Sequence, residues 1–160
     1  MQFLKDLNKL VVKSLSLIND GALTIAGTSV SATAAELNLN DNQVASASFT
    51  IGAEAGNVIN VAIQLKDAAG SDMAISNAIP FYLSANADGS TTATAATSLA
   101  IGTDGLMLEW TSNSSGLLVS EADGDIDINI GDASGAATYY LVLVLPNGKL
   151  TISDVITFAA

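Results

Sequence analysis

From about Val44 onward, apolar side chains recur at every second position. The clearest run is Val58 to Lys66, with Ile59, Val61, Ile63 and Leu65 on one face and Asn60, Gln64 and Lys66 on the other. A period of two marks a strand that lays one face on a core and the other in water. The same rule predicts strands at Phe49–Ile51, Ile75–Ala85, Leu99–Ile101, Leu106–Thr111, Leu117–Ser120, Ile126–Ile130, Tyr139–Leu145 and Leu150–Phe158. Turn signals separate them: Asp67-Ala68-Ala69-Gly70, Asp88-Gly89, Asp104-Gly105, Ser115-Gly116, Asp123-Gly124 and Pro146-Asn147-Gly148. About eight or nine strands without helical interludes predict a mainly β fold, an antiparallel immunoglobulin-like β-sandwich, with a jelly roll as the other arrangement. Thr91–Ser98, rich in threonine and alanine, reads as a loop or weak edge strand. Tyr139–Leu145 is apolar on both faces. It is either a central strand covered on both sides or one whose outer face meets another subunit.

The pattern before residue 44 is different. Phe3, Leu4, Leu7, Leu10, Val11, Leu17 and Ile18 recur at three- and four-residue steps, with Lys5, Lys9 and Lys13 mostly elsewhere around the cylinder. That spacing predicts an amphipathic helix over residues 2–18, ~25 Å long and ended by Asn19-Asp20-Gly21. So short a helix is marginal alone in water, so its stripe packs either on its own domain or on another subunit. The lysines are spread through the apolar stretch instead of preceding it, which reads as an amphipathic helix and not an export signal. Leu23-Thr24-Ile25 and Thr28-Ser29-Val30 read as two short strands, and Thr33 to Glu36 fits a capping box. The expected division is therefore an anchoring and oligomerisation region, residues 1–43, and a projecting β-sandwich, residues 44–160.

Charge sharpens the contrast. The chain carries a net charge of −11, and from Ser14 onward only Lys66 and Lys149 stand against fifteen acids. Phosphate recognition needs clusters of lysine and arginine, so a nucleic-acid partner is not expected. The longest apolar run, Tyr139 to Leu145, is seven residues, well short of the ~20 that span a bilayer, and no membrane partner is expected.

The chain has no cysteine and no histidine. That removes disulfides, the usual zinc and copper ligands, and every Ser-His-Asp or Cys-His nucleophile system. Asp123, Asp125 and Asp127 form the one acidic cluster. They are either calcium ligands lacking the EF-hand spacing or a solvated strand face that discourages edge pairing. A carboxylate-pair glycosidase needs only two acids, but aromatic residues are 5% of the chain. Trp110, Tyr82, Tyr139 and Tyr140 read as core residues before ligand-stacking ones. No enzyme activity and no cofactor are expected.

The stretch "GTSVSATAAELNLND", with Thr33-Ala34-Ala35-Glu36-Leu37-Asn38 at its centre, resembles a segment recurrent in structural proteins of tailed bacteriophages. Here it ends in Asn40-Asp41-Asn42, where that segment has Leu-Asp-Gly. "VAIQLKDAAGSDM", "GLLVSEADGDIDINI" and "YYLVLVLPNGKLTISDVITFA" resemble the β-sandwich of phage head-fibre or capsid-decoration proteins. The resemblance implies a non-enzymatic virion protein on the outer surface of a phage head, made in the host cytoplasm and often a homotrimer. Its partners would be the major capsid protein or other virion proteins. On that expectation Phe3, Leu4, Lys5, Leu7, Lys9, Leu10, Val11, Lys13, Leu17 and Ile18 form the capsid anchor. The alternative expectation is a tail-fibre or adhesin module recognising host glycans.

Overall fold

In a computed structural model of the chain, the residues described are Thr24–Ile25, Thr28–Ser29 and 42–159. They fall in two units, each described by itself. In the first, β1 (Thr24–Ile25) and β2 (Thr28–Ser29) pair antiparallel, where the sequence predicts two short strands. The expected helix over 2–18 and the capping box at Thr33 lie outside the described residues.

The second unit is a β-sandwich. Sheet I holds β3 (Ser46–Ile51), β4 (Val58–Lys66), β9 (Asp125–Gly131) and β6 (Ser98–Ile101), in that spatial order. Sheet II runs β11 (Leu150–Ile152), β10 (Ala137–Val144), β5 (Ala78–Ser84), β8 (Ser115–Val119) and β7 (Leu106–Thr111). β12 (Ile156–Phe158) also pairs with β10, beyond β11 on the same edge. Every pairing is antiparallel. Among the described residues there is no helix, and so none long and apolar enough to cross a membrane.

Alternation builds the core as expected. Ile59, Val61, Ile63 and Leu65 of β4 and Ile126, Ile128 and Ile130 of β9 point inward from sheet I. Ile79, Phe81 and Leu83 of β5, Leu118 of β8 and Tyr139, Leu141 and Leu143 of β10 meet them from sheet II. Most of these are at most 2% exposed, so the core is dry and close-packed.

Two local departures have physical causes. The predicted turn at Ser115-Gly116 falls at Asn113 instead, which adopts φ 54°, a left-handed conformation that asparagine tolerates. Gly116 lies inside β8, where a Cβ would sit 2.2 Å from the Leu108 carbonyl oxygen. It is a close-approach glycine, not a turn glycine. Leu150–Phe158 is not one strand. Ser153, 6% exposed, accepts from the Leu141 amide at 2.9 Å through Oγ and donates to the Asp154 carbonyl at 2.7 Å. A hydroxyl that takes over backbone partners breaks the ladder, which splits the segment into β11 and β12.

Candidate functional site

The two outer faces of the sandwich are chemically opposite. On sheet I the outward residues are Ser46, Ser48 and Thr50, then Val58, Asn60, Ala62, Gln64 and Lys66, then Asp125, Asp127 and Asn129, then Ser98 and Ala100, with Val58 the one large apolar side chain among them. On sheet II the register lines up Leu106, Val119 and Ala78 in one row across β7, β8 and β5. The next row is Leu108, Leu117 and Pro80, and across β10 and β11 come Val142 with Ile152 and Val144 with Leu150. No ionisable residue other than tyrosine stands on the outer face of sheet II.

One corner of this apolar face is covered by the chain itself. The turn after β5 folds over it: Tyr82 donates its hydroxyl to the Gly89 carbonyl at 2.7 Å, and the Ser84 hydroxyl lies 2.9 Å from the Asn86 carbonyl and 2.8 Å from that of Thr91. Gly89 sits against Leu150 and Ile152, and Val142 is wholly buried. The rest is open. Leu106, Leu108 and Leu150 are 66%, 56% and 43% exposed, and Trp110 is 65% exposed. Trp110 sits in the β7 irregularity between Glu109 and Thr111, at the free edge of the sheet. The expectation that Trp110 is a core residue is therefore wrong. Tyr139 is buried as expected, whereas Tyr82 and Tyr140 are half-buried on the outer face of sheet II, not in the core between the sheets. Strand order explains this: β7 has a neighbour on one side only, which a local pattern does not reveal.

On sheet I the acids gather at one end. A shallow depression is lined by Gln64, Asp72, Met73, Ala74, Glu121, Ala122, Asp123 and Asp125. Lys66 pairs with Asp72 at 2.5 Å, and the Gln64 amide donates to the Asp123 carbonyl at 2.8 Å. The Thr103 hydroxyl lies 2.5 Å from Asp127 Oδ2 and 2.9 Å from Asp104 Oδ2. Among the described residues no three acidic side chains converge well enough to hold a metal ion. Asp125 and Asp127 stand outward on β9, a strand paired on both sides, so their charges do not guard a sheet edge, and Asp123 lies in the turn before it.

Asp125 carries the cost of that crowding. Partial burial, then the negative charges of Asp123, Asp104, Asp127 and Asp72, raise its pKa above the usual carboxylate value. A raised carboxyl pKa means the fold favours the protonated form, so stability is full below the unfolded value and falls as pH rises through the folded one. Asp125→Asn is therefore expected to stabilise the protein at pH 7, on the order of 0.5 kcal/mol for a crowded like-charge site. Thermal melts of both proteins at pH 7 and pH 3.5 check this, because the gain must vanish at the lower pH.

The ten residues expected to form the capsid anchor, Phe3 to Ile18, lie outside the described residues. The apolar outer face of sheet II is the surface the sequence reading found only in part. The two-sided apolar run at Tyr139–Leu145 pointed to it. The Leu117–Val119 run carried the same signal, since leucine or valine occupies both its phases, and Leu106-Met107-Leu108 is apolar on both faces in the same way.

No family model matches the chain, and no curated protein matches it. Among the solved structures similar to it is a cohesin module from a Clostridium perfringens ATCC13124 family 33 glycoside hydrolase. It is 13% identical, covers 72% of this chain and 93% of its own, and superposes with a TM-score of 0.35. No statement about this chain rests on so loose a superposition.

Proposed function

We propose that this chain is a non-enzymatic structural subunit, an immunoglobulin-like sandwich carried on the outside of a bacteriophage head as a decoration or head-fibre protein. The observation that carries the subunit reading is the opposite chemistry of the two outer faces. Sheet I presents mostly asparagine, serine and aspartate to water, whereas sheet II leaves Leu106 and Leu108 exposed, with Trp110 beside them at its edge. Contiguous apolar surface of that kind marks a place where another molecule sits. The phage setting rests on the resemblance of the TAAELN segment and the C-terminal strands to virion proteins. In this reading residues 1–43 fasten the subunit, through the stripe from Phe3 to Ile18, to the major capsid protein or another virion protein. The sandwich projects, with the homotrimer as the implied assembly.

The test is location and attachment. Antibody labelling of purified particles should place the chain on heads. Changing Leu7 and Leu10 together to Asp should release it from particles while the β-sheet circular dichroism of the free protein stays unchanged. Retention of the double variant on heads would sink the anchor assignment.

One observation favours a second reading. Trp110 is exposed at a sheet edge, as aromatic platforms for sugars are. A tail-fibre or adhesin module would bind glycans and lose that binding on Trp110→Ala, with labelling on tails. A head-bound structural subunit gives neither result.

A further inference from the structure

We infer that the open apolar face of sheet II is where a second copy of this chain packs, sheet against sheet, around the leucines of β7. The inference rests on the subunit reading above but goes beyond it, since it names a surface and its occupant: a two-fold pairing through sheet II, separate from the trimer contact expected of residues 1–43.

Area is the first argument. Leu106, Leu108 and Trp110 together expose roughly 380 Å² along β7, already within the ~300–600 Å² of the largest patch on a typical monomer. The half-exposed Leu117 and Val119 extend it between β7 and β5. The other exposed large apolar residues, Val58, Ile75 and Val155, lie outside these rows and are no part of that patch.

Charge is the second argument, and it selects the occupant. The chain as a whole is at −11, so two copies repel one another over most of their surface. The β7–β8 part of the outer face of sheet II is the exception, because its strands carry no charged side chain there, whereas Asp88 rides on the turn that covers the other part, beside Tyr82. Asp125 and Asp127 lie on the opposite sheet. Two sandwiches joined through sheet II keep those acids on the far sides of the assembly, about as distant as the fold permits. A strongly basic partner would be drawn to sheet I instead. An uncharged, flat, leucine-lined face matches a copy of itself, and packed sheets stack ~10 Å apart with interdigitated side chains.

The chain has one tryptophan, so Trp110 is a built-in reporter at the edge of this face. The experiment uses the full chain without particles. Sedimentation velocity is run over a hundredfold concentration range beside Trp110 emission and acrylamide quenching. The expected result is concentration-dependent association, with Trp110 more shielded in the associated species. Leu108→Asp should weaken association at least tenfold, since it buries a charge where a leucine was. Ser48→Asp adds the same charge to the outer face of sheet I and should leave association within threefold. Leu108 is more than half exposed, so the variant is expected to fold. Leu106→Asn is the milder second variant, and circular dichroism confirms folding for each.

A wild-type chain that stays monomeric throughout overturns the inference. Quencher-accessible Trp110 in such a monomer would assign the face to a different protein. A shielded Trp110 would assign it to residues of this chain outside those described. Association untouched by both Leu108→Asp and Leu106→Asn overturns it equally, by placing the contact elsewhere. Failure to find the chain on particles, with association intact and Leu108-dependent, would instead remove the virion reading and leave the interface standing.

Discussion

Phe81→Ala is expected to remove about 3–5 kcal/mol of stability, a large share of the ~5–15 kcal/mol that holds a domain folded. Phe81 is 1% exposed and is among the largest fully buried side chains. It stands on β5, the central strand of sheet II, opposite Gly116 on β8 and Leu143 on β10. The glycine opposite has no side chain to swing into the space, and its backbone already touches β7. The cavity therefore stays open, which puts the loss toward the upper end of the range. Urea titration followed by circular dichroism measures it. Phe81→Leu, which keeps most of the volume, should cost under half as much.

Tyr139→Phe is the second large effect, expected at about 2 kcal/mol at pH 7. The Tyr139 hydroxyl donates to Asp132, a carboxylate only 4% exposed that also accepts the hydroxyl of Ser134 and its amide at 2.8 Å. The substitution keeps the ring and its edge-to-face contact with Phe158, whose centroid lies 6.0 Å away. The change thus isolates the hydrogen bond. Asp132 is held below the usual carboxylate pKa, first by the Ser134 hydroxyl, then by Tyr139 and the Ser134 amide. A depressed pKa stabilises above the unfolded value and is lost as pH falls through the folded one. The gap between wild type and variant should therefore narrow under acid. Tyr139 has the opposite sign at the other end of the scale. Burial, then the bond to Asp132 and its negative charge, push its pKa up to about 12. Its contribution is full below the tyrosine value of ~10 and disappears as pH rises through about 12. Melting temperatures from pH 3 to pH 12 should show wild type losing its advantage at both extremes. A constant gap across that range would mean that the hydroxyl contributes nothing beyond its neutral packing.

The strands were legible because alternation is a local property. Val58–Lys66 and Leu106–Thr111 have the bounds that the period of two assigns them. What sets the neighbours of a strand is not local. Trp110 reads as core material by composition, yet β7 is an edge strand and the side chain is open to water. Ser153 falls inside the predicted Leu150–Phe158 strand, yet its buried hydroxyl takes the Leu141 amide and the Asp154 carbonyl and breaks the segment into β11 and β12. Gly116 reads as a turn and is a close approach.

The candidate surface was half visible. Apolar residues in both phases of Tyr139–Leu145 announced a strand with something on each side. Part of that cover is the turn around Gly89, which sits against Leu150 and Ile152. The remainder came into view only when the register set Leu106 beside Val119 and Leu108 beside Leu117. The amphipathic stripe from Phe3 to Ile18, the most visible functional signal in the sequence, lies outside the described residues and stands as a proposal.

The central claim is that this sandwich works as a subunit whose apolar sheet faces a neighbour while its acidic sheet faces water. Hydroxyl-radical footprinting of the assembled and the dissociated protein tests it most directly, because it reads solvent contact side chain by side chain. The account predicts that Leu106, Leu108 and Trp110 lose most of their labelling on assembly while Val58, 37% exposed on the outer face of sheet I, keeps its own. Equal labelling of the three β7 residues in both states would contradict it.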